Sequence, residues 1–281
     1  MNRIPVIVFF LALPLLLTGQ APFPNSAEIK QFISSTTCVV LEDGTSPYNV
    51  FIRRAVEEYW TITPYEFISS SVFETRRTDP AYSFIILTET SFDRDKSKTA
   101  YNFLNLLQGK DVGEMKLMPE ICAIPLSFAD EEDLEYGYKL GALLLFAQKH
   151  ARMISEATSL TGRRSLRYYN KNIPLISQKT ILVKQEDLSA SINSAEKIKA
   201  LYKNRIEIVP EEAIMSAIHE KSPNTLILHL VGPPENDNAG YCFKMLIGTD
   251  DSEMYYYHQQ LIDKANPRGL LPADLKRMGK T

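Results

Sequence analysis

The residues of this chain that could do chemistry are few and far apart. There are four histidines (His150, His219, His229, His258) and three cysteines (Cys38, Cys122, Cys242). No histidine has a second histidine or a cysteine at ligand spacing, so local sequence offers no zinc site. The motifs G-x-S-x-G, H-E-x-x-H, G-x-x-x-x-G-K-[ST] and G-x-G-x-x-G are absent, which removes the common hydrolase elbow, zinc helix and phosphate loops. The turn 248–253 ("GTDDSE") and the loop 232–240 ("GPPENDNAG") carry oxygen ligands without the order of a calcium loop. No metal and no cofactor is assigned. One nucleophilic arrangement stays open: a thiol–imidazole dyad assembled in space from Cys122 or Cys242 with His229 or His258. The competing reading is structural. All three cysteines sit in apolar runs, as small core hydrophobes do, and His229 lies inside an apolar strand as a core histidine bonded to backbone. A single bridge, for instance Cys38 to Cys122, is the alternative to free thiols.

Two stretches could bind rather than react. In "MYYYHQQ", strand alternation puts Tyr255 and Tyr257 on one face and Tyr256 and His258 on the other. Amphipathic aromatics of this kind are enriched at interfaces, although tyrosine also simply favours strands. The cluster Arg163, Arg164, Arg167 and Lys171, interleaved with Tyr168 and Tyr169, could receive an anionic partner such as a lipid headgroup or an acidic glycan. Read blandly, it is a solvated charge run.

These residues must be held by a scaffold, and the scaffold is written twice. "TTCVVL" (36–41) reads as a buried strand. Ser46-Pro47 follows as helix start, with Phe51, Ala55, Val56 and Tyr59 as the apolar face. "WTI" (60–62) reads as a strand and Thr63-Pro64-Tyr65-Glu66 as a capping box opening a second helix. "YSFIILT" (82–88) is a third strand, and 101–109 with 121–128 form a hairpin. The second half repeats the order. "KTILVK" (179–184) comes first, then a helix capped by Asn193 with Glu196 and carrying Ile198, Leu201 and Tyr202. "RIEIV" (205–209) precedes a helix opened by Pro210 and Glu212. The strands "TLILHLVG" (225–232), "YCFKMLIG" (241–248) and "EMYYYHQQL" (253–261) and a terminal helix after Pro272 complete it. Cys38 and Ile181, Pro64 and Pro210, Ser83 and Thr225, and Tyr101 and Tyr241 keep nearly constant separations, so "TITPYEFI" (61–68) is paired with "EIVPEEAI" (207–214).

The expectation is an α/β (or α+β) protein of two tandem βαβαβββ repeats with mixed sheets. A first repeat covers 21–155 and ends in a long third helix from about Asp130 to Ile154, which Asp130, Glu131, Glu132 and Asp133 start and which is buried between layers. A basic linker follows at 156–176, then a second repeat at 177–281. Residues 1–20 resemble a secretory leader: a basic start at Arg3, an apolar run at 4–17 too short to span a bilayer, then small residues. No integral membrane segment is expected once it is cleaved. The formal charge is −3, and loss of Arg3 with the leader makes it more negative, which argues against nucleic-acid binding.

In topology each repeat resembles the amino-terminal domain of the periplasmic protein TolB and the periplasmic cores of curli-type secretion lipoproteins. The chain also looks like exported two-repeat proteins of Gram-negative gut and oral commensals. The resemblance implies an envelope adaptor or assembly module without catalysis. The expected function is thus exported, non-catalytic binding of an envelope protein, through the groove between repeats or an exposed sheet edge. The alternatives are a thiol- or histidine-dependent hydrolase and a periplasmic small-ligand receptor with a closed apolar pocket. Sequence leaves the oligomeric state open.

Overall fold

The computed structural model describes residues 22–92, 95, 97–129, 136–233 and 239–279, with the backbone alone of Arg163. The first unit runs α1 (Ser26–Ser34), β1 (Thr36–Leu41), α2 (Pro47–Tyr59), β2 (Tyr65–Ser69), α3 (Ser70–Arg76), β3 (Tyr82–Ser91), β4 (Ala100–Gln108), β5 (Glu120–Phe128) and α4 (Leu140–Glu156). After α5 (Arg163–Tyr169) the second unit runs β6 (Thr180–Val183), α6 (Ala195–Leu201), β7 (Ile206–Ile208), α7 (Glu211–His219), β8 (Thr225–Val231), β9 (Tyr241–Gly248), β10 (Met254–Leu261) and α8 (Pro272–Met278).

The fold is α/β, with two five-stranded mixed sheets of the same order: β2-β1-β3-β4-β5 and β7-β6-β8-β9-β10. In each, the first strand lies between the second and third and is parallel to both, and two hairpin strands extend the sheet antiparallel. Helices make the parallel connections because parallel strands need a crossover. The leader-like residues and Asp130 to Asp133 lie outside the described residues. No helix among the described residues is long and apolar enough to cross a membrane.

The duplication is real but its register differs from the expected one. Thr37 lies opposite both Tyr65 and Ser83, and Ile181 lies opposite both Ile206 and Leu226. Tyr65 therefore corresponds to Ile206. Pro64 precedes a strand, whereas Pro210 is the N-cap of α7. The pairing of 61–68 with 207–214 is thus out of step, and Trp60–Ile62 is not a strand. The capping box at Thr63 does not form either. The Thr63 hydroxyl instead meets the Thr37 hydroxyl and accepts from the Trp60 indole N–H at 2.9 Å, while the alternating Tyr65, Phe67 run extends along β1.

Two helix faces also shift. α2 starts at Pro47 behind Ser46 as expected, yet it buries Tyr48, Ile52, Ala55 and Val56, leaving Phe51 outward. In α6 the cap is Ser194, whose hydroxyl accepts from Lys197 N–H, while Asn193 receives the Lys197 ammonium at 2.7 Å. Ile198 and Tyr202 are buried and Leu201 is exposed. α4 starts at Leu140, after a short 3₁₀ turn at Gly137–Lys139, and is buried on most of its circumference. Gly141 lets it approach α2 closely: a Cβ there would stand 2.5 Å from the Tyr59 ring.

One hydrophobic cluster runs from Val39, Ile85 and Leu104 of the first sheet through Leu143, Phe146 and Ala147 of α4 to Leu182, Ile227 and Ile247 of the second. The two sheets also touch directly. Tyr101, Phe92 and Phe103 pack on Tyr241, Phe243 and Val231, and the Tyr101 hydroxyl donates to the Tyr241 carbonyl at 3.1 Å. Tyr101 and Tyr241 hold equivalent positions in the two repeats, so the repeat meets itself there. The 156–176 stretch is folded: it holds α5 and a 3₁₀ segment, Asn170–Gln178, and it buries Ser165, Tyr169 and Ile176.

Candidate functional site

The binding residues read from sequence do not converge. In β10, Met254 faces Ile247 and Tyr256 faces Leu246, so Tyr255 is an extra residue in a β-bulge. The bulge turns Tyr255 and Tyr256 together into the second unit's core and sends Tyr257 to the side of the inter-sheet aromatics, so Tyr255 and Tyr257 do not share a face. The Tyr255 hydroxyl donates to Asp251, and its ring lies 4.6 Å beneath the Lys179 ammonium. Burial and then Asp251 raise its pKa, while burial pushes Tyr257 up to about 12. His258 donates from Nδ1 to the buried Asp274 at 3.1 Å. Asp274 also accepts from Lys244, from the Tyr256 hydroxyl at 2.6 Å and from the Leu271 N–H at 2.9 Å. These groups tie α8 to the sheet. Arg164 donates to the Ser159 carbonyl at 3.4 Å and Arg167 is exposed, both on α5. The side chain of Arg163 lies outside the described residues.

The thiols and imidazoles are placed as core groups. All three cysteines are free and buried. Burial, above all, pushes Cys38 up to about 11 and raises Cys122 and Cys242 as well, so none is poised as a thiolate. His229 donates from Nε2 to the Pro125 carbonyl at 2.8 Å, and His150 Nδ1 meets the Tyr169 hydroxyl at 2.8 Å. Burial holds both imidazoles neutral, lowering His150 to about 4 and His229 to about 3. No cysteine bonds a histidine among the described residues. Nor does any group of three or more His, Cys, Asp and Glu side chains there form a metal cradle.

A groove between the units gathers different residues. Leu145, Lys149, Arg152, Met153 and Glu156 form a stripe of α4 that reaches solvent, and that stripe is the groove floor. Spaced at three and four residues, it runs about 17 Å along the helix. Tyr168 and Tyr169 of α5 make one wall and the turn Asp251, Ser252, Glu253 the other. The groove holds about 470 Å³. Lys149 closes one side by donating to the Asp251 carbonyl at 2.8 Å and pairing with Glu253 at 3.0 Å. Gln148 anchors the end: its carbonyl oxygen accepts from Thr61 and Ile62 N–H, and its amide donates to Tyr59 and Leu144. Arg152 and Glu156 stay exposed.

The groove thus joins α4 of the first unit, the β9–β10 turn of the second and Tyr168 from within the basic cluster. Reading α4 as buried between layers hid its floor. Polar residues at 149, 152 and 156 were the available signal, since a charged stripe on an otherwise apolar helix is solvated more cheaply than buried. Compared with known family models, curated proteins and solved structures, the chain matches none.

Proposed function

We propose that this chain is an exported, non-catalytic binding or assembly protein of the cell envelope that holds a partner protein in the groove between its two units. The observation that carries this reading is the groove itself. Its volume falls in the range of natural binding sites, roughly 300–1,000 Å³, and it lies on elements from both repeats. It is open along α4 and lined by both polar and apolar side chains, which suits a segment of another protein better than a small molecule enclosed in an apolar pocket. An extended segment rises about 3.3 Å per residue, so roughly five residues would fit along the floor. Aliphatic side chains would pack on Leu145, Met153 and Tyr168, and an acidic one would meet Arg152. Buried thiols with raised pKa values favour this reading over the thiol-dependent alternative. Export rests on the leader-like start of the chain.

The test is affinity capture of the tagged protein from envelope extract, beside the variant Arg152→Glu. Arg152 is exposed, so its reversal should leave the fold intact and reduce recovery of the partner at least tenfold. Equal recovery by both forms would remove the groove from the account.

A further inference from the structure

A second, smaller cavity of about 20 Å³ lies where the units meet. Ser127 of β5 and Tyr136 and Lys139 ahead of α4 line it from the first unit. Asp187 after β6, His229 near the end of β8, and Arg268 line it from the second. From β6 the chain passes to β7 on one side and then to β8 on the other. In open α/β sheets the crevice beyond the carboxyl ends of such neighbouring strands is where ligands bind.

Three polar atoms of the lining side chains have no hydrogen-bond partner among the described residues: Oδ2 of Asp187, Nδ1 of His229 and Nε of Arg268. Asp187 and His229 are each only 2% exposed. Buried polar atoms are seldom left unbonded, so these three point to a shared partner. Their chemistry narrows its identity. His229 uses its Nε2–H on the Pro125 carbonyl, which leaves a lone pair on Nδ1. Oδ2 of Asp187 also accepts, whereas Nε of Arg268 donates. An anion would face the Asp187 carboxylate and the Nδ1 lone pair, and a cation would face the Arg268 guanidinium with Lys139 in the same lining. A neutral species that donates twice and accepts once satisfies all three. A water needs at least 10–15 Å³ of such space, so the cavity holds about one.

We propose that this cavity is the binding site of one water molecule, which donates to Nδ1 of His229 and Oδ2 of Asp187 and accepts from Nε of Arg268. The water completes a polar joint between the loops of the second unit and the Ser127–Tyr136–Lys139 side of the first. The crevice an α/β sheet usually offers to a ligand is taken up by this joint.

Crystals of the protein grown with sodium bromide test the proposal. The expected result is one density peak without bromide anomalous signal, within hydrogen-bond distance of all three atoms. An anomalous peak there, or no density, overturns it. In solution, magnetic relaxation dispersion of water counts long-lived internal waters. Asp187→Leu, which removes one acceptor and fills space, should lower that count by one. An unchanged count in a folded variant also overturns the proposal, and if the variant fails to fold, the crystal decides alone.

Discussion

The two units share a topology but bury opposite kinds of polarity. In the first sheet the amino ends of the central strands are closed by neutral hydroxyls. Ser83 bonds Ser35 and Thr37, each at 2.8 Å, and Thr37 bonds Thr63. The equivalent residues of the second sheet, Ile181 and Leu226, are core hydrophobes. At the carboxyl ends the contrast reverses. After β1, Glu42 and Asp43 are exposed and satisfied nearby, Asp43 by the Ser70 hydroxyl at 2.8 Å. After β6 and near the end of β8, Asp187 and His229 are buried beside Lys139. The second unit also buries Lys244 and Asp274 completely. The comparison teaches that a strand order constrains where apolar residues go, while each copy is free to choose where a buried polar network is tolerated. The fully buried Lys244–Asp274 pair should make the second unit the more sensitive to mutation, while buried titratable groups in both units, His150 and Glu120 in the first and His229 in the second, set the response to pH.

The largest test of that contrast is Asp274→Leu. It leaves Lys244 buried without its counter-charge and should cost about 3–5 kcal/mol in chemical denaturation, while the double change Lys244→Met, Asp274→Leu should recover most of the loss. Next comes pH. Unfolded histidine titrates near 6.5, and His150 and His229 titrate at about 4 and about 3 in the fold. Between those values the unfolded chain binds more protons, so stability should fall as pH drops from about 6.5 towards 4, by roughly 2–3 kcal/mol per histidine. His229→Gln should flatten its share of that slope in a stability–pH series. Glu120 has the opposite sign. Burial raises it from 4.5 to about 7, so its protonated form favours the fold below about 4.5, and that contribution is lost as pH rises through 7. Thr37→Val in the first unit should cost about 2 kcal/mol by the same denaturation, since the two neutral hydrogen bonds of its hydroxyl, to Thr63 and Ser83, are removed. A cost equal to that of Asp274→Leu would erase the contrast. The smallest effect concerns the thiols: Cys38, Cys122 and Cys242 should resist alkylation in the native protein and react once it is unfolded, read by mass spectrometry.

The sheets were largely legible in the sequence because their strands are β-branched apolar runs such as 36–41, 82–88 and 225–232, and the Tyr-x-Phe repeat at 101 and 241 marked the equivalent fourth strands. What failed was local and had tertiary causes. Thr63 looked like a helix cap, but its hydroxyl is engaged by the nearby Trp60 indole and by Thr37 of the neighbouring strand β1. Phe51 and Ile52 are adjacent apolar residues, and only the position of α4 decides which one turns inward. The bulge at Tyr255 shifts the alternation by one, which no strand periodicity reveals. The candidate site was less legible than the fold, since its floor, walls and turn come from three distant segments. Of its residues, Tyr168, Tyr169, the turn Asp251 to Glu253 and Thr61 lay in stretches singled out beforehand, but nothing in the sequence joined those stretches, which meet because α5 is folded against β10.

The central claim is that the partner sits in the groove along α4. Its most direct test is in-cell photocrosslinking, with the reactive side chain placed at Met153 on the groove floor or at Val50 on the outer face of α2, which is 68% exposed. The account predicts a reproducible crosslink to one envelope protein from Met153 and none from Val50. Equal crosslinking from both positions, or from Val50 alone, would contradict it.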